Sequence, residues 1–138
     1  MREALKEAHE ALGKNEVPVG AVIVAGNRII ARSHNLTEML ADVTAHAEMQ
    51  AITSAASYLG GKYLKDCTLY VTLEPCLMCA GALFWTQITR VVYGAPDSKR
   101  GFTLNSPTPL HPTTTVVSGV LEKDCAKLLT DFFKKKRK

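Results

Sequence analysis

Apolar positions along the chain follow two rhythms, one helical and one strand-like. Ala4, Leu5, Ala8, Ala11 and Leu12 recur at helical spacing, and Gly13 suits the end of a first helix. Val19-Gly20-Ala21-Val22-Ile23-Val24 is a short apolar run rich in β-branched residues. Ala25-Gly26-Asn27 reads as a turn and Arg28-Ile29-Ile30-Ala31-Arg32 as a returning strand, so the two predict a hairpin. The stretch 34–44 is polar and loop-like. Thr44 is expected to cap a helix over 45–59, which Gly60-Gly61 ends.

Thr68 to Leu73 reads as a third strand. Pro75 is expected to open a helix that runs to about Gln87. Arg90-Val91-Val92-Tyr93 is a fourth strand and Thr114 to Ser118 a last one. The final helix is expected from Leu121 to about Lys135, with Cys125, Leu128, Leu129, Phe132 and Phe133 on its apolar side. Between them, 95–113 is a long loop containing Gly101 and four prolines; loops that long inside a compact domain are usually functional. Helices alternating with short strands predict an α/β fold, a three-layer α/β/α sandwich around a mixed central sheet, with the hairpin supplying an antiparallel pair. No internal repeat or linker divides residues 1–138, which are expected to form one domain with a basic tail from about Lys134.

Composition adds limits rather than a function. Hydrophobic residues make up 46% of 138, enough for one core, and no apolar run is long enough to cross a membrane. Met1 to Glu10 is charged and helix-like, unlike a secretory signal, so a soluble, cytoplasmic protein is expected. The net charge is +4, but Lys134, Lys135, Lys136, Arg137 and Lys138 supply five of the 17 basic residues; the other 12 face 13 acidic ones. The body is thus near neutral. The tail reads either as a solvated terminus or as a phosphate-binding arm.

Four cysteines, Cys67, Cys76, Cys79 and Cys125, have no context that favours disulfides, which leaves metal binding or burial. Cys76-Leu77-Met78-Cys79 places two sulfurs on one face of a helix start, where the helix dipole favours thiolate. Alone, the pair could equally be redox-active or simply buried. His46-Ala47-Glu48 opens another helix, where side chains lean back toward the N-terminus and can converge beyond it. Helix starts of an α/β sheet gather beyond the carboxyl ends of strands, where ligands bind. His46, Cys76 and Cys79 then make three protein ligands, and two thiolates with one imidazole suit Zn²⁺ best. Structural zinc sites have four protein ligands; catalytic sites have three and an open position. Cys67 is expected far off at the other end of its strand, and Cys125 in the core. Zinc lowers the pKa of a bound water from about 15.7 to near 7. Glu48, beside that water and off the metal, suits the proton carrier.

The pair of motifs, His46-Ala47-Glu48 and Pro75-Cys76-x-x-Cys79, resembles the zinc nucleobase and nucleoside deaminases of the cytidine deaminase-like superfamily. Further segments resemble the bacterial tRNA adenosine deaminases of the TadA type. They are Glu16 to Ala21, Asn35, Thr44 to Glu48, Leu69 to Cys76, Cys79-Ala80-Gly81-Ala82 and Asp131-Phe132-Phe133. The resemblance covers nearly the whole chain. It implies one Zn²⁺ per subunit, a homodimer, and conversion of the wobble adenosine in a tRNA anticodon loop to inosine. It further implies that Glu48 protonates N1 and the departing amine, and that the backbone N–H groups of Ala47 and Cys76 orient the base. Asn35 would hydrogen-bond the purine, Val17 would line the pocket, and Pro75 would also contact substrate. In that family the first helix starts upstream of the position of Met1, so residues before it are expected.

Asp97, Lys99, Arg100 and Phe133 are expected to contact RNA, since cations and aromatics beside a single-stranded loop are what RNA recognition uses. Three places depart from the family: Val43 between Asp42 and Thr44, the loop Gly101 to Pro107, and Trp85-Thr86-Gln87. Trp85 resembles guanine deaminases instead, which keeps a free-base or nucleoside deaminase (guanine or cytosine) as the alternative. A zinc-stabilised binding module is the alternative outside enzymes; it predicts a fourth protein ligand.

Overall fold

The structure, a computed structural model, describes residues 1–137; Lys138, the last residue of the expected basic tail, lies outside them. The elements in chain order are α1 (Arg2–Gly13), β1 (Gly20–Ala25), β2 (Arg28–His34), α2 (Ala47–Leu59), β3 (Cys67–Leu73), α3 (Leu77–Thr86), β4 (Arg90–Ala95), a short 3₁₀ turn (Phe102–Leu104), β5 (Thr115–Val117) and α4 (Glu122–Lys136). One mixed sheet orders them β2-β1-β3-β4-β5. β1 pairs antiparallel with β2 and β3, whereas β3–β4 and β4–β5 are parallel.

α1 and α4 cover one face of the sheet, and α2 and α3 the other. The alternation of β1 decides which side chain goes where. Ala21 and Ile23 enter the large core with Ala51 and Ala55 of α2, Leu69 and Val71 of β3, and Leu83 of α3. Gly20, just before them and on the opposite face, lets α1 approach so closely that a Cβ there would overlap the Ala4 carbonyl and the Ala8 amide. Gly94 of β4 does the same for Cys125 of α4. Small residues on the sheet thus set how deeply the second layer sits.

Two helix starts differ from the sequence reading. Thr44 does not cap α2. Its N–H and hydroxyl both donate to the Asp42 carboxylate, at 2.9 and 2.7 Å, and His46 takes the N-cap position. Pro75 likewise stands before the cap of α3, which is Cys76. Gly60 ends α2 in the left-handed conformation (φ 72°), as expected of a glycine there. The long loop is not featureless: Phe102 is buried and meets Tyr93 edge-on, ring centroids 6.0 Å apart.

The register places one edge of the sheet under the site. Gly20 at the start of β1 lies opposite His34 at the end of β2, and β3 and β4 run parallel with Leu73 beside Ala95. Val17 and Val19, Asn35, the Glu74–Cys76 turn and the loop from Asp97 therefore all leave the sheet at the same end.

Candidate active site

His46 and Cys76 are N-cap residues with extended backbone (φ −71°, ψ 154° and φ −74°, ψ 174°). Neither side chain makes the capping hydrogen bond that such positions usually make. They turn toward each other. Nδ1 of His46 lies 3.6 Å from Sγ of Cys76 and 3.5 Å from Sγ of Cys79. A tetrahedral zinc with its usual bond lengths to sulfur and nitrogen separates those ligand atoms by about 3.6 Å. The donor set and its spacing thus fit the ion.

Among the described residues, His46, Cys76 and Cys79 form the one cluster of ligand atoms within 4.8 Å of one another. Cys67 and Cys125 are buried and stand outside this group. Three protein ligands leave a coordination position open, the arrangement of catalytic rather than structural zinc.

The thiols are electrostatically unequal. A hydrogen bond from Cys79 holds the Cys76 thiol down to about 4, and His46 assists against the opposing effect of burial. The same bond, with burial, drives the Cys79 thiol strongly upward. The bond to Cys76 raises His46. The cluster is therefore already half-prepared as a ligand set, with one thiolate in place.

Glu48 follows in the first turn of α2 and is 4% exposed. Burial pushes its carboxyl up to about 7, and the Cys76 charge adds to the shift. A carboxyl titrating near neutrality can both take and give a proton. A divalent cation beside it would draw that value down.

Above these groups opens a cavity of about 520 Å³, the size of a small-ligand site. Val17, Val19 and Leu73 give it apolar walls, and His46, Ala47, Glu48 and Cys76 its floor. Asn35, buried, faces it with Thr37 on one side; Asp97, Arg100 and Phe133 close the other. Pro75 is fully buried behind Cys76 and does not line the cavity; its carbonyl accepts the Phe102 N–H at 2.9 Å. Lys99 is outside as well, in a neighbouring groove with Phe133 and Arg137. Asp97 turns its carboxylate inward, accepting the N–H groups of Lys99 and Arg100 at 3.0 Å each, so it shapes its own loop. Phe132 is buried in the core, and Phe133 stays exposed at the cavity rim. Trp85 is 75% exposed on α3, away from the cavity, and gives no support to a free-base pocket.

Sequence reasoning passed over two buried carboxylates as functional groups. Glu16 accepts the N–H groups of Glu38 and Met39 at 3.1 and 2.7 Å, behind the Asn35 wall. Glu74 sits in the cavity lining and binds the opposite loop. Both lie in segments that resemble the family, the one signal in the sequence that could have singled them out.

Comparison with known proteins agrees with this geometry. Residues 1–95 match the cytidine and deoxycytidylate deaminase zinc-binding region. The tRNA-specific adenosine deaminase of Bacillus subtilis is 48% identical, over 100% of this chain and 89% of that protein. A solved tRNA:A34 deaminase, studied for A-to-I editing at the wobble position, superposes with a TM-score of 0.88 and 46% identity, covering 94% of this chain and 97% of that one. A guanine deaminase structure from Bacillus subtilis fits less well, with a TM-score of 0.66 and 41% identity over 69% of this chain and 61% of the other.

Proposed function

The chain belongs to the tRNA-specific adenosine deaminases, built on the cytidine and deoxycytidylate deaminase zinc-binding domain, and from this we propose that it hydrolyses the wobble adenosine of a tRNA anticodon loop to inosine. The observation that carries the reading is the three-ligand cluster of His46, Cys76 and Cys79 with the buried Glu48 beside it, at the floor of a cavity that fits one base.

His46 Nδ1 and the sulfurs of Cys76 and Cys79 would hold the ion. When bound, Zn²⁺ supplies the Lewis acidity that makes a water nucleophilic near neutral pH. Glu48 would take one proton from the attacking water and hand it to purine N1, then take the proton of the hydroxyl now on C6 and hand it to the departing amine, so that adenine and water become hypoxanthine and ammonia. Asn35 holds the purine edge, and the backbone N–H groups of Ala47 and Cys76 orient base and leaving group. Val17 and Val19 pack on the flat faces of the ring. The apolar walls exclude bulk water, which strengthens each polar contact inside.

A base must leave its stack to reach this floor, and an anticodon loop is already single-stranded. Arg100 and Phe133 at the rim, with Lys99 and Arg137 in the next groove, offer the charge and stacking surface that flanking nucleotides use. Pro75 acts from behind the site, its fixed φ and the Phe102 N–H on its carbonyl holding the turn that leads into Cys76. A homodimer is supported by the outer face of α3, where Leu77, Met78 and Trp85 are exposed without an intrachain partner layer. Among the described residues no helix is long and apolar enough to cross a membrane.

The test is an inosine assay. A synthetic anticodon stem-loop carrying adenosine at the wobble position should yield inosine and ammonia, whereas free guanine, cytosine and adenosine should not. Turnover of a free base without turnover of the stem-loop would overturn the reading.

A further inference from the structure

Glu74 is 3% exposed, at the junction between β3 and the Cys76 turn. Burying a carboxylate without a counter-charge is costly, and among the described residues no lysine or arginine pairs with it. All of its side-chain partners come from one loop. Oε1 accepts the N–H of Asp97 at 3.0 Å; Oε2 accepts the N–H and the hydroxyl of Thr103 at 2.9 and 2.8 Å. Gly101 lies over the same carboxylate so closely that a Cβ there would overlap its atoms.

Backbone bonds complete the enclosure. The Glu74 N–H donates to Ala95, the Phe102 N–H donates to Pro75, and Cys76 bridges to Gly101. The segment 97–103 is therefore wrapped around an acid two residues before a proposed metal ligand. The same segment supplies Asp97 and Arg100 to the cavity wall.

We propose that Glu74 is a positioning residue that locks the 97–103 wall of the substrate cavity to the Cys76 turn, so that the wall facing the RNA and the metal ligand keep one relative geometry. The proposal rests on the deaminase reading above only for its kinetic consequence. The chemistry explains why an acid stands there. Three donors converge on two oxygens, and a carboxylate is acceptor on both. Glutamine has the same shape but sets an NH₂ against one of those donors.

The experiment compares the full zinc-loaded chain with Glu74→Gln and Thr103→Val. Three quantities are measured: zinc per chain, amide hydrogen exchange at residues 97 and 103, and deamination of a synthetic anticodon stem-loop. In Glu74→Gln, zinc content should stay at one per chain while exchange at both amides accelerates by about tenfold or more. KM should rise about tenfold while kcat changes less than about threefold. Thr103→Val keeps the N–H and loses the hydroxyl donor, so it should move the same quantities in the same direction by less. Position 103 is exposed, so this variant carries the test even where Glu74→Gln does not fold. Unchanged exchange at both amides would overturn the proposal. So would a lower melting temperature with KM unmoved, which is what a merely structural acid gives. A wild-type chain that makes no inosine would overturn the deaminase reading instead, and the exchange rates would still decide the clamp.

Discussion

The hydroxyl of Ser33 donates to the carbonyl of Ala47 at 2.6 Å, both groups buried. This bond joins the end of β2 to the first turn of α2, the turn that carries His46 and Glu48. Gln50 adds a second tie, its side-chain amide donating to the carbonyls of His34 and Ala45 at 2.7 and 3.2 Å. The position of Glu48, the proposed proton carrier, relative to the sheet is thus fixed by side chains outside the cavity lining. Ser33→Ala should destabilise the protein by about 1 kcal/mol, the usual worth of one buried hydrogen bond. Urea unfolding at constant zinc measures it. An unchanged midpoint would mean that the Gln50 tie and the packing of α2 hold the turn without this bond.

Glu48→Gln separates metal binding from chemistry. Glutamine fills the same buried space and cannot relay a proton. The ligand atoms belong to His46, Cys76 and Cys79, so zinc content should remain one per chain. Turnover on an anticodon stem-loop should fall by roughly 10²–10⁴-fold, the range of general acid–base catalysis. Metal analysis beside single-turnover kinetics makes the comparison. Loss of zinc along with turnover would make Glu48 a ligand or a structural support, against the role assigned to it.

The site was legible in the sequence where chemistry is local and obscure where it is tertiary. C-x-x-C and His-x-Glu could be read because each motif sits within one helical turn. The hairpin could be read because Gly26-Asn27 interrupts two apolar runs. The helix caps were misplaced for a physical reason: His46 and Cys76 are poor capping residues by composition, and the fold uses both cap positions to aim ligands instead. Thr44, the better cap by type, is engaged by Asp42. The carboxylates of Glu16 and Glu74 bind amides 22 to 29 residues away, a relationship no local pattern encodes. Phe102 looked like loop because polar residues, glycine and proline dominate the stretch around it, and its burial against Tyr93 exists only once β4 is in place.

Gly20 tests the layer packing away from the chemistry. A methyl group there would overlap the Ala4 carbonyl and the Ala8 amide of α1, which are backbone atoms that cannot rotate aside. Gly20→Ala must therefore push α1 outward and open the layer packed by Ala4, Ala8 and Ala11. Overpacking of this kind typically costs about 1–3 kcal/mol. Chemical denaturation should show that loss with zinc content unaltered, since the cluster lies on the other side of the sheet. A variant as stable as the parent would show that α1 is loosely seated.

Zinc binding should depend on pH with a definite sign. Without the ion, the Cys79 thiol is held protonated by its bond to Cys76 and by burial, and His46 is raised by the same sulfur. Cys76, lowered to about 4, has already lost its proton at neutral pH. Binding must then expel the proton of Cys79 and, toward acid, that of His46 as well. Protons and metal compete, so affinity rises with pH and falls on acidification. The slope should be at least one decade of affinity per pH unit, for the proton of Cys79, and steeper wherever His46 is protonated as well. Calorimetry in buffers of differing ionisation enthalpy counts those protons directly. Binding that releases none would show that both sulfurs are thiolates before the ion arrives, and the shared proton between Cys76 and Cys79 would have to be abandoned.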